Sequence, residues 1–314
     1  MGYLTLSIST VVLISTRVIS ITKTKKKKKM SDLVFFITGC SQGFGRELTI
    51  ALNEAGHQVI ASARNIDKIK DLGELPNVST LQLDIGDKKE IIEEKAQEAI
   101  DVYGHVTHLI NNAGYSAEGA FEEASDDEAR QQFKVNFWGT VNVTNAFLPH
   151  FRSRKSGFIA TISSIGGIVS FPGIPWYCSS KFALEGLFEA LKTEVAHLGI
   201  KVLLINPGYF ATNFLARGTN IQPPKNRIDD YKPVTDVMTK NFEEQHTNQL
   251  GDPTKGALRI IEVLTNTGMA KDRELPTRLL LGSDALQFAN AKGENLIQSA
   301  NEWRDVSVST DRTN

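Results

Sequence analysis

Cysteine is nearly missing from this sequence: only Cys40 and Cys178 occur in 314 residues. Two distant thiols cannot make a disulfide framework, so an apolar core must hold the chain, and the pattern suits a reducing, cytoplasmic compartment. An excess of one charge is missing too, since the formal net charge is -1. That balance argues against nucleic acid as a partner, because phosphate binding needs a basic face. The six histidines lack metal-ligand spacing; His105 and His108 read as residues that bound an apolar strand, and no metal is assigned.

Residues 1–30 do not resemble the rest of the chain. The stretch 3–22 is apolar and hydroxyl-rich with one charge, Arg17, and leads into Lys23 and the lysine run 25–29. Three readings stand in order: an extension that folds into nothing, a marginally hydrophobic anchor that would hold the domain on the cytosolic side of a membrane, and a mitochondrial presequence. Membrane association would therefore run through this leader alone. The folded domain is expected over 31–302, with a tail at 303–314.

From Leu33 onward, short aliphatic or β-branched runs alternate with helical stretches. Strands are expected over 33–38, 58–63, 79–84, 107–111, 157–163, 201–206 and 278–281. Helices are expected over 44–54, 67–72, 88–103, 126–151, 176–197, 254–265 and 284–301, the fourth opened by the capping box Ser125-Asp126-Asp127-Glu128. Near-continuous apolar strands imply a mostly parallel, seven-stranded sheet with helices on both faces, the doubly wound α/β class. One domain suffices. The stretch 208–252 breaks the rhythm with Pro223, Pro224 and Pro233 and reads as a lid insertion.

The chemistry concentrates at the strand ends. Thr38-Gly39-Cys40-Ser41-Gln42-Gly43-Phe44-Gly45 closes the first strand and runs into a helix. Gly39 suits a tight turn, Gly43 and Gly45 admit a close ligand, and the helix N-terminus supplies amide donors for a dinucleotide phosphate. The second strand ends in Ala63-Arg64-Asn65 without the carboxylate that would bind a ribose 2′-hydroxyl. Arg64 can instead pair with a 2′-phosphate, favouring NADP over NAD; otherwise it is a solvated loop charge. Asp84 is placed to reach adenine, and Asn111-Asn112-Ala113-Gly114 ends the fourth strand. Tyr177 and Lys181, four apart on a helix that Pro175 can open, share one face, and the ammonium is expected to favour the phenolate. Ser164 ends the preceding strand and can hold a substrate oxygen. A tyrosine four residues before a lysine also occurs as plain surface decoration.

These motifs, in this order, resemble the short-chain dehydrogenase/reductases over about 32–286. The family's TGxxxGxG falls on 38–45, its NNAG on 111–114, and its Asn-Ser-Tyr-Lys set on Asn136, Ser164, Tyr177 and Lys181. The resemblance implies a Rossmann-type domain with those four residues catalytic, Asn136 anchoring a water for proton relay. It implies a cofactor set of Thr38, Gly39, Ser41, Gly43, Phe44, Gly45, Arg64, Asp84, Asn111, Ala113, Gly114, Tyr177, Lys181, Pro207, Gly208 and Thr212. The wording VIASARN is similar to NADP-preferring hydroxysteroid and retinol dehydrogenases. The leader and the lack of a basic residue at Gln42 depart from the pattern, and the second departure leaves NAD open. The implied activity interconverts a secondary alcohol and a ketone, on a lipophilic small molecule if Ile165, Ile168, Phe171, Tyr115, Tyr209 and Phe214 line the site rather than the core. The implied assembly is a homodimer or homotetramer built on helices 126–151 and 176–197. The rival of another class is a non-catalytic NAD(P)-binding sensor, which would not need the full Asn, Ser, Tyr and Lys set. An esterase on Ser164 lacks a GxSxG elbow.

Overall fold

Strand β1 (Val34–Ile37) shows how the chain covers both faces of a sheet. Successive side chains point to opposite sides. Phe35 and Ile37 enter one core and Val34 and Phe36 the other, all fully buried. At roughly 1.5–3 kcal/mol for each large buried apolar side chain, this single strand already ties two layers to the sheet.

A computed structural model describes residues 32–216, 218–246 and 248–312. The leader, 1–30, lies outside them. After β1 come α1 (Gly43–Ala55), β2 (Gln58–Ala63), β3 (Val78–Gln82), α2 (Lys89–Tyr103) and β4 (His108–Asn111). A short β5 (Ser116–Ala117) precedes α3 (Asp126–Phe133), α4 (Thr140–Arg154), β6 (Gly157–Ile162), α5 (Pro175–Val195) and β7 (Ile200–Pro207). The chain ends with β8 (Ile221–Gln222), α6 (Lys232–Gln245), α7 (Pro253–Thr265), β9 (Arg278–Leu281), α8 (Ser283–Glu302) and α9 (Arg304–Val308). The sheet order is β3-β2-β1-β4-β6-β7-β9, with every neighbouring pair parallel. Leu48 and Leu52 of α1 and Ile260 and Leu264 of α7 cover one face. Ile92 of α2, Phe147 and Phe151 of α4 and Phe188 of α5 cover the other. The order reverses between β1 and β4, which opens a crevice at their C-terminal ends.

Helix starts match the expected signals: Pro175 occupies the first turn of α5, and Ser125 and Glu128 exchange the bonds of a capping box. The helix expected over 126–151 is instead broken by a wide π turn at Lys134–Gly139. The cause is tertiary: the Asn136 side chain is drawn to the Tyr115 main chain, and a Cβ on Gly139 would sit 2.6 Å from the Ile85 carbonyl oxygen. One inserted residue leaves no mark on a 3.6-residue periodicity. The stretch 67–72 belongs to 3-10 turns spanning Ile66–Glu74, and β3 stops at Gln82, two residues short of Asp84. Within the lid stretch, α6 and β8 are regular elements that the polar sequence hid; α6 has only Thr235 and Phe242 buried, too few to give a periodic signal. In the expected tail, Arg304–Val308 is helical. Among the described residues no helix is long and apolar enough to cross a membrane.

His108 opens β4, as its place before the apolar run suggests, and is also a core residue. It is 7% exposed, its ring 4.3 Å from that of Phe35 and 5.4 Å from that of Phe158, with Nε2 3.3 Å from the Leu264 carbonyl oxygen. Burial pushes its pKa down to about 4, against the opposing Leu264 contact. Because the folded value lies below the ordinary 6.5, the unfolded chain binds more protons between those limits, and stability falls as pH falls through that window. The full effect is about 3 kcal/mol. Urea unfolding at pH 7 and pH 4.5 should therefore show a smaller acid loss in His108→Phe than in the wild type. Equal losses would show that His108 does not carry the acid sensitivity.

Candidate active site

The crevice is built where the ends of β1 and β4 meet. Gly39 has φ +75, and a Cβ there would lie 2.8 Å from the Ala113 Cα, so only glycine lets the two turns touch. Asn112 Nδ2 donates to the Thr38 oxygen at 2.8 Å and the Gly39 oxygen at 3.0 Å. In return Thr38 Oγ1 accepts from the amides of Asn112 (2.9 Å) and Ala113 (3.0 Å). A Cβ on Gly45 would fall 2.5 Å from Asn112 Nδ2. The turn delivers α1 with its N-terminus open: Gln42 provides no side-chain cap, and the first turn holds no acid. Ser41, Gln42, Gly43 and Phe44 line the cavity in front of it. Uncapped amides and a positive helix end fit the phosphates of a dinucleotide.

The cavity, about 920 Å³, tracks the strand order. Arg64 stands at the end of β2, the glycine turn after β1, Asn112 and Ala113 after β4, Ser164 after β6, and Pro207 and Gly208 at β7. From β2 to β6 is three strand spacings, on the order of 14 Å, so an elongated ligand can run from Arg64 to Ser164. Lys68, which no sequence motif marks, adds a second cation at the Arg64 end. Asp84 lines the cavity, with Oδ1 accepting from the Gly86 amide at 2.9 Å. The stretch 208–252 walls the other end. Phe210 bridges Gly251 at its base, β8 pairs with β5, and Phe214, Leu215, Ile221 and Phe242 give an apolar wall. Glu123, fully buried, accepts from the amides of Ala120 (2.7 Å) and Ile228 (2.9 Å) and so ties the lid to the loop after β5.

Ser164, Tyr177 and Lys181 line the same cavity, together with Gly114 and Thr212. Ser164 Oγ accepts from the Gly166 amide at 3.0 Å, and a Cβ on Gly166 would lie 3.3 Å from that oxygen and 3.1 Å from Tyr177 Cε1, so the hydroxyl and the phenol ring flank one point. Lys181 Nζ donates to the Ile162 oxygen at 2.8 Å and lies 5.9 Å from the Tyr177 ring centre. The Tyr177 phenol is shifted upward, opposite to the direction expected from its spacing to Lys181. Tyr177 is 6% exposed, and burial pushes its phenol up, with the neighbouring Ser164 hydroxyl opposing. Lys181 bears the cost of the same burial: desolvation brings its pKa down to about 8, against the Glu185 charge that raises it.

Four of the expected site residues stand behind the cavity wall. Thr38 and Gly45 belong to the clamp between β1 and β4. Asn111 Nδ2 donates to Thr144 Oγ1 (2.9 Å) and Thr161 Oγ1 (3.4 Å), bracing β4 against α4 and β6. Asn136, fully buried, accepts from the Tyr115 amide at 3.1 Å and donates to the Tyr115 oxygen at 2.8 Å, so its side-chain amide holds the Tyr115 main chain. Of the apolar candidates, Tyr115, Ile165, Phe171, Tyr209 and Phe214 line the cavity. Ile168 is absent from the lining. Asn112, Glu185 and Asn206 carry no expectation of their own in the sequence, although Asn112 lies inside NNAG and Glu185 continues the Tyr177, Lys181 spacing by one turn.

Comparison with known proteins agrees with this geometry. The short chain dehydrogenase family model matches residues 33–221. A 3-ketodihydrosphingosine reductase of Bacteroides thetaiotaomicron is 37% identical over 219 residues, 70% of this chain and 79% of that protein. A short-chain dehydrogenase from Streptomyces avermitilis superposes with a TM-score of 0.81 at 36% identity, over 90% of this chain and all (100%) of the other. A short chain dehydrogenase from Burkholderia cenocepacia, solved in complex with NADP, gives a TM-score of 0.65 at 26% identity over 86% of this chain and 96% of the other. The chain belongs to the short-chain dehydrogenase family and is an oxidoreductase of the nicotinamide-dependent class.

Proposed function

We propose that the chain interconverts a secondary alcohol and a ketone on a lipophilic small molecule with NADP(H), reduction being the favoured direction. The observation that carries this reading is one continuous cavity shared by the uncapped α1 N-terminus, Arg64 and the Ser164, Tyr177, Lys181 set. Bound nicotinamide supplies the hydride. Tyr177, protonated at neutral pH, gives its proton to the carbonyl oxygen. Because Ser164 Oγ already accepts from Gly166, its own hydrogen is free to orient toward the same oxygen. Lys181, an ammonium below about pH 8, offsets the charge left on Tyr177. The apolar wall of Ile165, Phe171, Phe214, Leu215 and Phe242 supports a lipophilic substrate, as does the name of the Bacteroides relative, a ketone reductase. A sensor without turnover would not need this acid beside an amine.

Tyr177→Phe keeps the ring and removes the proton. Turnover of a ketone panel with NADPH should fall by about a hundred- to ten-thousand-fold while NADPH still binds, monitored by its fluorescence. Near-normal turnover would remove Tyr177 as the acid.

NADP preference rests on Arg64, with Lys68 beside it and no carboxylate at the end of β2. Arg64→Asp replaces a phosphate partner with a like charge. The lost charge-assisted bond, about 1.5–3 kcal/mol, corresponds to a ten- to hundred-fold shift in kcat/KM toward NADH. An unchanged cofactor ratio would make Arg64 a loop charge.

The assembly is proposed to be a homodimer through the outward faces of the π turn and α5. Trp138 (56% exposed), Phe182 (40%) and Leu187 (41%) are uncovered there, and a Cβ on Gly186 would meet nothing within 4 Å. Light scattering at micromolar concentration should give at least a dimer; a monomer would contradict it.

A further inference from the structure

Helix α5 carries a row at four-residue spacing, Tyr177, Lys181, Glu185 and Glu189, and the first three are buried. The proposed chemistry uses two of them. Glu185 is 4% exposed and has both oxygens engaged. Oε2 accepts from Arg278 Nε on β9 at 2.7 Å, and Oε1 accepts from Asn206 Nδ2 on β7 at 2.6 Å. Arg278 also pairs with Glu189. Asn206, fully buried, turns its remaining amide hydrogen to the Ser164 carbonyl oxygen at 3.0 Å.

Where this chain of bonds ends decides what it does. The last ladder bond of β6 runs from the Ser163 amide to the Ile205 oxygen, 2.8 Å, so Ser164 is the first residue beyond the sheet. Its carbonyl takes one local bond, from the Gly167 amide at 2.9 Å. Asn206 provides the bond that ties it back to β7. Space around these bonds is tight: a Cβ on Gly167 would lie 2.7 Å from Ser163 Oγ and 3.0 Å from Glu185 Cγ, so the carboxylate is confined to one place. An ion pair needed only to dock α5 on the sheet edge would be complete with Arg278 and Glu185. The continuation through Asn206 to Ser164 adds nothing to that docking.

We propose that Glu185 and Asn206 are positioning residues: the chain Arg278, Glu185, Asn206 fixes the Ser164 main chain so that its hydroxyl meets Tyr177. The inference rests on the oxidoreductase reading, and the test separates the two. Asn206→Leu and Glu185→Leu remove the tie with little change of volume. Displacing Ser164 by about 1 Å should lower ketone turnover about a hundred-fold, while NADPH affinity stays within about two-fold. Glu185→Gln keeps an acceptor for Asn206 and loses only the outer link, so it should recover to within about ten-fold of wild type. A role confined to stability would lower the melting temperature of all three and leave kcat per folded molecule unchanged, and that result overturns the proposal. Crystal structures of the wild type and Asn206→Leu give a readout independent of turnover: Ser164 Oγ should leave Tyr177 in the variant, and an unmoved Ser164 refutes the inference even if no ketone of the panel is reduced. Should the leucine variants not fold, Arg278→Gln, whose side chain is 33% exposed, removes the outermost link, and a turnover equal to wild type with Ser164 unmoved would equally count against the chain.

Discussion

The clamp between the ends of β1 and β4 is the constraint on which the rest of the site depends. Thr38 and Asn112 exchange side-chain bonds with each other's main chain, and Gly39 lets Ala113 approach to a distance that no Cβ would tolerate. This contact sits at the reversal of strand order, so it sets both the mouth of the cavity and the angle at which α1 enters it. Had the turn been wider, the amides of α1 would face solvent and lose their value as a phosphate site. Unlike a salt bridge, the clamp involves no charge, which leaves the helix dipole as the local field at that point.

At the far end of the same cavity the governing effect is desolvation. Tyr177 and Lys181 are both buried, and burial drives them in opposite directions: the phenol is held protonated, and the amine is brought within reach of neutral pH. Glu185 limits how far the amine falls, because its negative charge opposes the desolvation of Lys181. The carboxylate that stands in the positioning chain therefore also tunes the electrostatics one helical turn away.

The lid is held differently from the core. Leu215, Ile221 and Phe242 form a small apolar cluster with Ile174, Tyr177 and Cys178, and polar bonds add to it: Glu123 to the Ile228 amide, Glu118 to the Thr239 hydroxyl, and the short β5–β8 pairing. Phe214, Leu215 and Phe242 line the cavity from this side, which is where the proposed lipophilic substrate would lie.

The strand and helix alternation, the parallel sheet and the placement of Gly39, Ser164, Tyr177 and Lys181 at strand ends and helix starts were legible in the residues alone. Those features rest on local rules of periodicity, turn chemistry and spacing that operate within about ten residues. The remaining features come from contacts between distant segments. The π turn at Asn136 exists because Tyr115, twenty-one positions away, offers both main-chain groups to one amide. His108 became a stacked core residue because Phe35 and Phe158 come from neighbouring strands. The phenol's raised proton affinity reverses what an adjacent lysine alone would produce, since burial is a property of the assembled site. The link from Arg278 to Ser164 joins β9, α5, β7 and the end of β6, four segments that meet only when the sheet is complete. Burial and long-range hydrogen bonds depend on which segments become neighbours, and no local pattern carries that information.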